Sequence, residues 1–339
     1  MTIGVDAGCL VAKKGGVYQT TYNLLTTLSQ IDHQNHYELY TWQPVKHPFG
    51  KRMKNLVARP RPGWWFWGLP KQLACRRPAV FLGPAQALPA WSSGPTVVIV
   101  HDLGFEHWPK FYPQRRRLRR LTKLAVAKAS RIVAVSQATK RDLVQLYQVP
   151  TAKIKVAWEG CDQKIFCPSP KPKKKAFLFV GAPKPSKNIA GLLAGFACFC
   201  QTRTDYELWL AGGNFAPLIG DRQKVKNLGL VNQKKLVSLY QQATALVSPA
   251  FYEGFGLPLV EALACGCPVV AGNTGSQPEV VGRAGLLVDP SDPKAIGQAM
   301  WQVITRQKQL VQAGLKRAAL FSWQKFARQV MEAINEVKN

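Results

Sequence analysis

The chemistry this chain can do is best read where cations and glycines meet helix starts. Residues 179–188 read FVGAPKPSKN: a buried strand ends at Gly181, and Ser186 has the chemistry of a helix N-cap. Lys187 then falls in the first turn of the helix that starts there, where a cation opposes the helix dipole. A lysine at that place makes sense when an anion such as a diphosphate joins it; the bland alternative is an exposed lysine held at small cost. A second such place is Lys13-Lys14-Gly15-Gly16, between the strand Ile3–Asp6 and a helix near Tyr18–Leu28. Glycines admit close backbone approach, and a helix start offers free N–H donors. The pattern is not G-x-G-x-x-G, so the nicotinamide and flavin fingerprint is absent, and a plain turn is the competing reading.

The richest segment is residues 251–270, FYEGFGLPLVEALACGCPVV. Glu253 and Glu261 are separated by seven residues, a spacing that is weak alone in a chain with nine glutamates. Its context strengthens it. Gly254 and Gly256 open a loop, Pro258 suits a first helical turn, and Glu261 is expected in that turn, where an acid is favoured. Glu253 is left on the loop facing a cleft. His101 ends the strand-like run Val97–Val100 and is either a site residue or a satisfied structural histidine. The eight cysteines form no C-x-x-C spacing, so small buried apolar residues in a reducing compartment is the economical reading.

These residues need strands that end beside helix starts, and the pattern supplies them. Strand-like runs rich in β-branched residues alternate with helical ones from end to end, which predicts parallel sheets covered by helices. Ser136 caps a helix through Tyr147, and Asp292-Pro293 opens another. Trp323, Phe326, Ala327, Val330, Ile334 and Val337 share one face of the last helix. At 339 residues the chain suits two domains, and the proline- and lysine-rich stretch Phe166–Lys175 is the expected linker. The fold class is α/β, two Rossmann-like domains facing a central cleft. No apolar run reaches the roughly 18 residues that span a bilayer, and Ile3–Val5 reads as a strand rather than a signal peptide, so a cytoplasmic protein is expected.

The E-x7-E segment resembles the signature of retaining glycosyltransferases with two Rossmann-like domains (GT-B), in particular the large family 4 with its mannosyl- and glucosyltransferases. The resemblance extends over nearly the whole chain: Val5-Asp6-Ala7 with Gly15-Gly16; His101-Asp102-Leu103 with Phe111-Tyr112-Pro113; residues 134–143; Val180-Gly181 with Lys187-Asn188; Pro278-Glu279-Val280 with Ala284-Gly285-Leu286; and Phe321-Ser322-Trp323. It implies an acceptor domain over 1–167, a donor domain over 168–320, and a C-terminal helix, 321–339, crossing back to the first. It also implies roles. Glu261 would bind the ribose hydroxyls, and Glu253 the hydroxyls of the transferred sugar, with the backbone of Gly254, Phe255 and Gly256 near sugar and phosphate. Lys187 would neutralise the departing diphosphate, Gly15 and Gly16 would approach it from the other domain, and His101 would touch the donor sugar near the reacting carbon. Glu253 and His101 are thus the candidate catalytic residues. No D-x-D triplet is present, so neither a metal nor another cofactor is expected. The donor is a nucleotide diphosphate sugar of GDP-mannose or UDP-glucose type, mannose being slightly favoured, and the acceptor a glycan or a lipid-linked glycan. One departure is Ser186, where many relatives carry Arg; Lys184 is a candidate to supply that charge.

Charge adds a further expectation. Forty-six Lys and Arg against 18 Asp and Glu leave +28, which favours an anionic partner. Arg115, Arg116, Arg117, Arg119, Arg120, Lys123 and Lys128 crowd one helix that carries no acid, and Arg59-Pro-Arg-Pro-Gly is followed by Trp64-Trp65-Phe66-Trp67. Tryptophan beside cations suits a bilayer interface, so peripheral attachment to an anionic inner membrane face is one reading and core tryptophans the other. Nucleic acid is disfavoured, since no nucleic-acid module accompanies the charge. The alternative function is a basic nucleic-acid- or membrane-binding protein on a degenerate, non-catalytic glycosyltransferase fold.

Overall fold

The computed structural model describes residues 1–12, 15–59, 63–170 and 172–338. The chain forms two compact units: Met1–Leu103 with Gln114–Glu159 and Trp323–Asn339, and Gly104–Pro113 with Gly160–Ser322.

In the first unit the strands are β1 (Thr2–Asp6), β2 (His36–Thr41), β3 (Met53–Val57), β4 (Val80–Gly83), β5 (Thr96–Val100), β6 (Arg131–Ala134) and β7 (Ile154–Val156), all parallel, in the order β3-β2-β1-β4-β5-β6-β7. β4 and β5 are buried along their whole length, which is why Val97–Val100 reads as an unbroken apolar run. The order reverses between β1 and β4. In an open sheet that reversal opens a crevice beyond the carboxyl ends of the strands, where ligands bind. The helices of this unit are α1 (Cys9–Ala12), α2 (Gly15–Ile31), α3 (Leu69–Arg76), α5 (Arg115–Lys128), α6 (Gln137–Tyr147) and, from the far end of the chain, α14 (Trp323–Asn335). Ser136 caps α6 by accepting the Thr139 N–H at 3.0 Å. α14 packs on α2 and β6 through Trp323, Phe326, Ala327, Val330, Ala333 and Ile334, while Val337 lies beyond its end. At the rim, Lys155 pairs with Glu332 and Glu336 at 2.8 and 2.9 Å, and Arg131 with Glu336 at 2.8 Å.

The second unit has β8 (Ala176–Val180), β9 (Glu207–Ala211), β10 (Val225–Gly229), β11 (Ala245–Ser248), β12 (Val269–Gly272) and β13 (Leu286–Val288), parallel, in the order β10-β9-β8-β11-β12-β13. Its reversal lies between β8 and β11. Around the sheet stand α7 (Ile189–Cys200), α8 (Ala216–Ile219), α9 (Gln233–Gln242), α10 (Leu257–Ala264), α11 (Gln277–Val281), α12 (Pro293–Thr305) and α13 (Gln307–Ala318). Aromatic packing fills the core: the rings of Phe177 and Phe199 meet edge to face at 5.0 Å, and Phe179 and Phe215 at 5.9 Å. α4 (Gly104–His107) and a 3₁₀ turn, Pro109–Phe111, belong to this unit although they follow β5 in the chain.

Two features of the sequence reading change. Four strands, β2, β3, β4 and β10, are not among those read from the sequence; of these, β3 and β10 are edge strands with half-exposed polar faces. The stretch expected as linker is strapped to the second unit. Gln241 Nε2 donates to the Cys167 carbonyl at 2.8 Å, and the Lys174 N–H to that of Gln242 at 2.7 Å. The units divide earlier, at Glu159/Gly160.

Candidate active site

In the second unit the reversal between β8 and β11 brings two loops together. After β8 the chain makes a 3₁₀ turn, Pro185–Lys187, before α7 begins. The residue that caps α7 is Asn188, not Ser186: its Oδ1 accepts the Gly191 N–H at 3.1 Å. Asn188 sits at φ +57°, a left-handed conformation that asparagine tolerates better than most residues. Its amide donates to the carbonyls of Pro249 and Pro290 at 3.1 and 2.6 Å, tying the loops after β8, β11 and β13 together. Ser186 is buried, and its carbonyl accepts the Phe251 N–H at 2.9 Å. The 3₁₀ turn is what displaces the expected cap, and it places Lys187 ahead of the helix rather than inside its first turn.

That turn sets the Lys187 ammonium against the Glu253 carboxylate, both side chains largely buried. A cation and an anion so placed can exchange partners: an incoming phosphate takes the ammonium, and hydroxyls take the carboxylate. The loop carrying Glu253 is held from beneath. Ser276 Oγ donates to the carbonyls of Glu253 and Phe255, each at 2.9 Å, and Gln277 Nε2 donates to that of Ala250 at 2.9 Å. Gly275, at φ +58°, permits this, since a Cβ there would lie 2.7 Å from the Glu253 carbonyl oxygen. Above, Trp108 Nε1 donates to the Phe251 carbonyl at 3.1 Å, with the two rings 4.7 Å apart. Phe255 is itself buried against Phe321, so only its backbone, with that of Gly254 and Gly256, is placed to serve a ligand.

Glu261 is the fifth residue of α10 rather than part of its first turn, because Gly256 at φ +94° is the N-cap and Leu257 the first helical residue. Its Oε2 accepts the buried Tyr240 hydroxyl at 2.8 Å. Loss of water around the carboxyl pushes its pKa up to about 7, and the Tyr240 hydrogen bond offsets only part of this.

The first unit supplies a second cluster at the ends of β5 and β7. His101 Nε2 meets the Pro84 carbonyl at 2.7 Å and Nδ1 meets Glu159 Oε1 at 3.2 Å, while Thr20 Oγ1 donates to the same oxygen at 2.6 Å. Burial pulls the His101 pKa down, but hydrogen bonding and charge from Glu159, with Pro84 and Asp102, outweigh it and the net shift is upward. Both ring nitrogens face acceptors, which favours an imidazolium held as a fixed charge rather than a free proton shuttle. Glu159, Tyr240 and Ser276 escaped the sequence reading, and Asn188 entered it only as a motif position, without its capping role. The signal for Glu159 was available, an acid three residues past a strand end; the others are partners that only the fold brings near. Gly15 and Gly16 open α2, exposed, and a Cβ on either would meet nothing within 4 Å. Lys13 and Lys14 lie outside the described residues.

Comparison with known proteins decides the family. The group described as "Glycosyl transferases group 1" matches residues 162–317 and "Glycosyltransferase Family 4" residues 14–164. The chain is 33 % identical to O-antigen chain mannosyltransferase B of Escherichia coli over 264 residues, covering 70 % of this chain and 69 % of that one. The chain belongs to the family 4 glycosyltransferases. It is a hexosyltransferase that uses a nucleotide sugar, and the alternative of a basic binding protein on a degenerate fold is not favoured. Several other curated relatives are matched over 50 to 62 % of their own length. Among solved structures, sucrose-phosphate synthase of Thermosynechococcus elongatus superposes with a TM-score of 0.82 at 20 % identity, covering 99 % of this chain and 98 % of that one. HepE of Anabaena, solved with UDP-glucose, gives 0.77 at 18 % identity, with 99 % of both chains covered. Both share the GT-B fold with this chain. No helix among the described residues is long and apolar enough to cross a membrane.

Proposed function

We propose that this hexosyltransferase moves mannose, with retention and without a bound metal, from a nucleotide diphosphate donor to a glycan or lipid-linked acceptor. The observation that carries the reading is the Lys187–Glu253 pair at the switch point of the second unit. Breaking the sugar–phosphate bond sends its electron pair to the diphosphate and leaves positive charge on the ring. The acceptor hydroxyl then bonds to the anomeric carbon, and its proton goes to the departing phosphate. Lys187 stabilises the growing negative charge, which is the task a metal performs elsewhere. Glu253 then holds sugar hydroxyls and Glu261 the ribose. Gly15 and Gly16 offer open backbone N–H groups to phosphate, and the His101 charge orients the sugar. The mannosyltransferase name of the E. coli relative supports mannose, while the UDP-glucose bound to HepE keeps the other donor in the test. Thermal stabilisation by GDP-, UDP- and ADP-sugars, with and without EDTA, decides it. A shift with GDP-mannose that survives EDTA is expected; a shift that needs a divalent metal, or none with any donor, overturns the reading.

The first unit favours attachment to an anionic membrane surface. α5 turns Arg116, Arg119, Arg120 and Lys123 outward, Leu124 beside them is 51 % exposed, and Trp67 is 74 % exposed. Trp64 and Trp65, by contrast, are turned partly inward, and Pro60, Arg61 and Pro62 lie outside the described residues. Each cation near such a surface adds roughly 1 kcal/mol of attraction. Co-sedimentation with vesicles rich in anionic lipid, lost with neutral vesicles, is the expected result; no sedimentation at moderate salt refutes it.

A further inference from the structure

In the first unit a cavity of about 270 Å³ lies off the carboxyl ends of four adjacent strands. Asp6 ends β1, Trp42 follows β2, Trp64 and Trp65 follow β3, and Ala85 follows β4; Arg117 of α5 reaches the same space. It therefore straddles this unit's topological switch point, between β1 and β4. Its size is that of about nine waters at roughly 30 Å³ each, enough for one six-membered sugar ring and too small for an oligosaccharide. Three indoles supply flat apolar walls, with the Trp42 and Trp64 rings 5.2 Å apart and those of Trp64 and Trp65 5.6 Å apart.

One group distinguishes the occupant. Asp6 is 4 % exposed, and among the described residues its only hydrogen bond comes from the Gly8 N–H to Oδ1, at 2.9 Å. A hydrocarbon chain filling the cavity would leave that buried carboxyl without a partner for its other oxygen, a penalty that favours any occupant able to donate. A hydroxylated ring matches both kinds of wall: its C–H faces lie on the indoles and on Phe66 and Leu121, which complete the apolar side, its hydroxyls donate to Asp6, and they accept from the Arg117 guanidinium.

We infer that this cavity is the subsite for one neutral hexopyranose ring of the acceptor, read by Asp6 and Arg117 and stacked on Trp42, Trp64 and Trp65. The inference rests on the glycosyltransferase reading, and its prediction is binding of acceptor sugar independent of the donor site. The test titrates the whole chain with methyl α-D-mannopyranoside and methyl α-D-glucopyranoside, observed by saturation-transfer NMR on the pyranoside protons, with geranyl phosphate as the hydrocarbon arm. Binding of a pyranoside is expected, weakened about tenfold in Asp6→Asn and several-fold in Arg117→Gln, while GDP and UDP stabilise these variants as they do the wild type. Arg117 is exposed, so its variant remains informative should Asp6→Asn fail to fold. Pyranoside binding unchanged in both variants, pyranoside displaced by a nucleoside diphosphate, or geranyl phosphate in the cavity in place of the ring would each overturn the assignment. Failure of every nucleotide sugar to bind, with pyranoside binding intact, would instead fall on the donor reading.

Discussion

Replacing Glu261 by glutamine separates stability from function at one atom. The carboxyl titrates at about 7 in the folded chain against an ordinary 4.5. Between those values the folded state keeps a proton that the unfolded chain has released, so this carboxyl's contribution to stability is full below about 4.5 and is lost as pH rises through about 7. A shift of this size corresponds to roughly 3 kcal/mol of penalty for holding the charged form at pH 8.5. The amide of Glu261→Gln would carry no charge and keep the Tyr240 hydroxyl as a donor to its carbonyl oxygen. The unliganded variant is therefore more stable than wild type at pH 8.5, by on the order of 5 °C in melting temperature, and equal to it near pH 5. Nucleotide binding moves the other way. Loss of a charged acceptor for the ribose hydroxyls weakens it about tenfold to a hundredfold, and the stabilisation of roughly 2.7 kcal/mol that a ligand gives at a hundred times its Kd falls accordingly. The assay is a set of melting curves at both pH values, with and without the nucleoside diphosphate that binds best. A variant less stable than wild type at pH 8.5, or one that responds to nucleotide unchanged, would refute the reasoning.

Lys187→Ala removes the charge that stabilises the departing diphosphate, and kcat should fall about 100- to 1,000-fold. Because it also leaves the largely buried Glu253 carboxylate without its cation, the melting temperature should fall too, and a loss under tenfold in steady-state transfer assays run below that transition would show that another group does this work. Glu159→Gln should lower the pKa of His101, because the variant no longer offers the imidazolium a charged partner. Wild type then holds this stabilisation below the ordinary histidine range and loses it as pH rises through the raised folded value, and an NMR titration of the ring protons showing no downward move would count against the pair. On α14, Phe326→Ala empties a fully buried site and should cost about 3–5 kcal/mol in urea unfolding, whereas Glu336→Gln, whose partners are partly exposed, should cost less than about 1 kcal/mol and lose even that in high salt. Equal costs would mean that charge rather than packing fastens the helix.

What the sequence determined by itself is whatever short-range chemistry dictates. Strand ends followed by glycine, proline and capping residues fix where the chain turns, as Ser136, Gly256-Leu257-Pro258 and Asp292-Pro293 do, and the buried stripe of α14 was legible from its spacing. The E-x7-E segment, Lys187 and His101 were visible because they lie in such turns. Tertiary structure alone decided which of them meet. Lys187 and Glu253 are 66 residues apart, and they pair because β8 and β11 are neighbours across the reversal of the sheet. The cap of α7 passed from Ser186 to Asn188 because a 3₁₀ turn intervenes and because Asn188 has carbonyls from two distant loops to bind. The fate of the aromatic cluster was undecidable in one dimension: Trp64, Trp65 and the edge of Phe66 join Trp42, Asp6 and Arg117 around a cavity while Trp67 stays exposed. A carboxylate's partner and a tryptophan's neighbour depend on strand order, and strand order is a long-range property that local sequence does not encode.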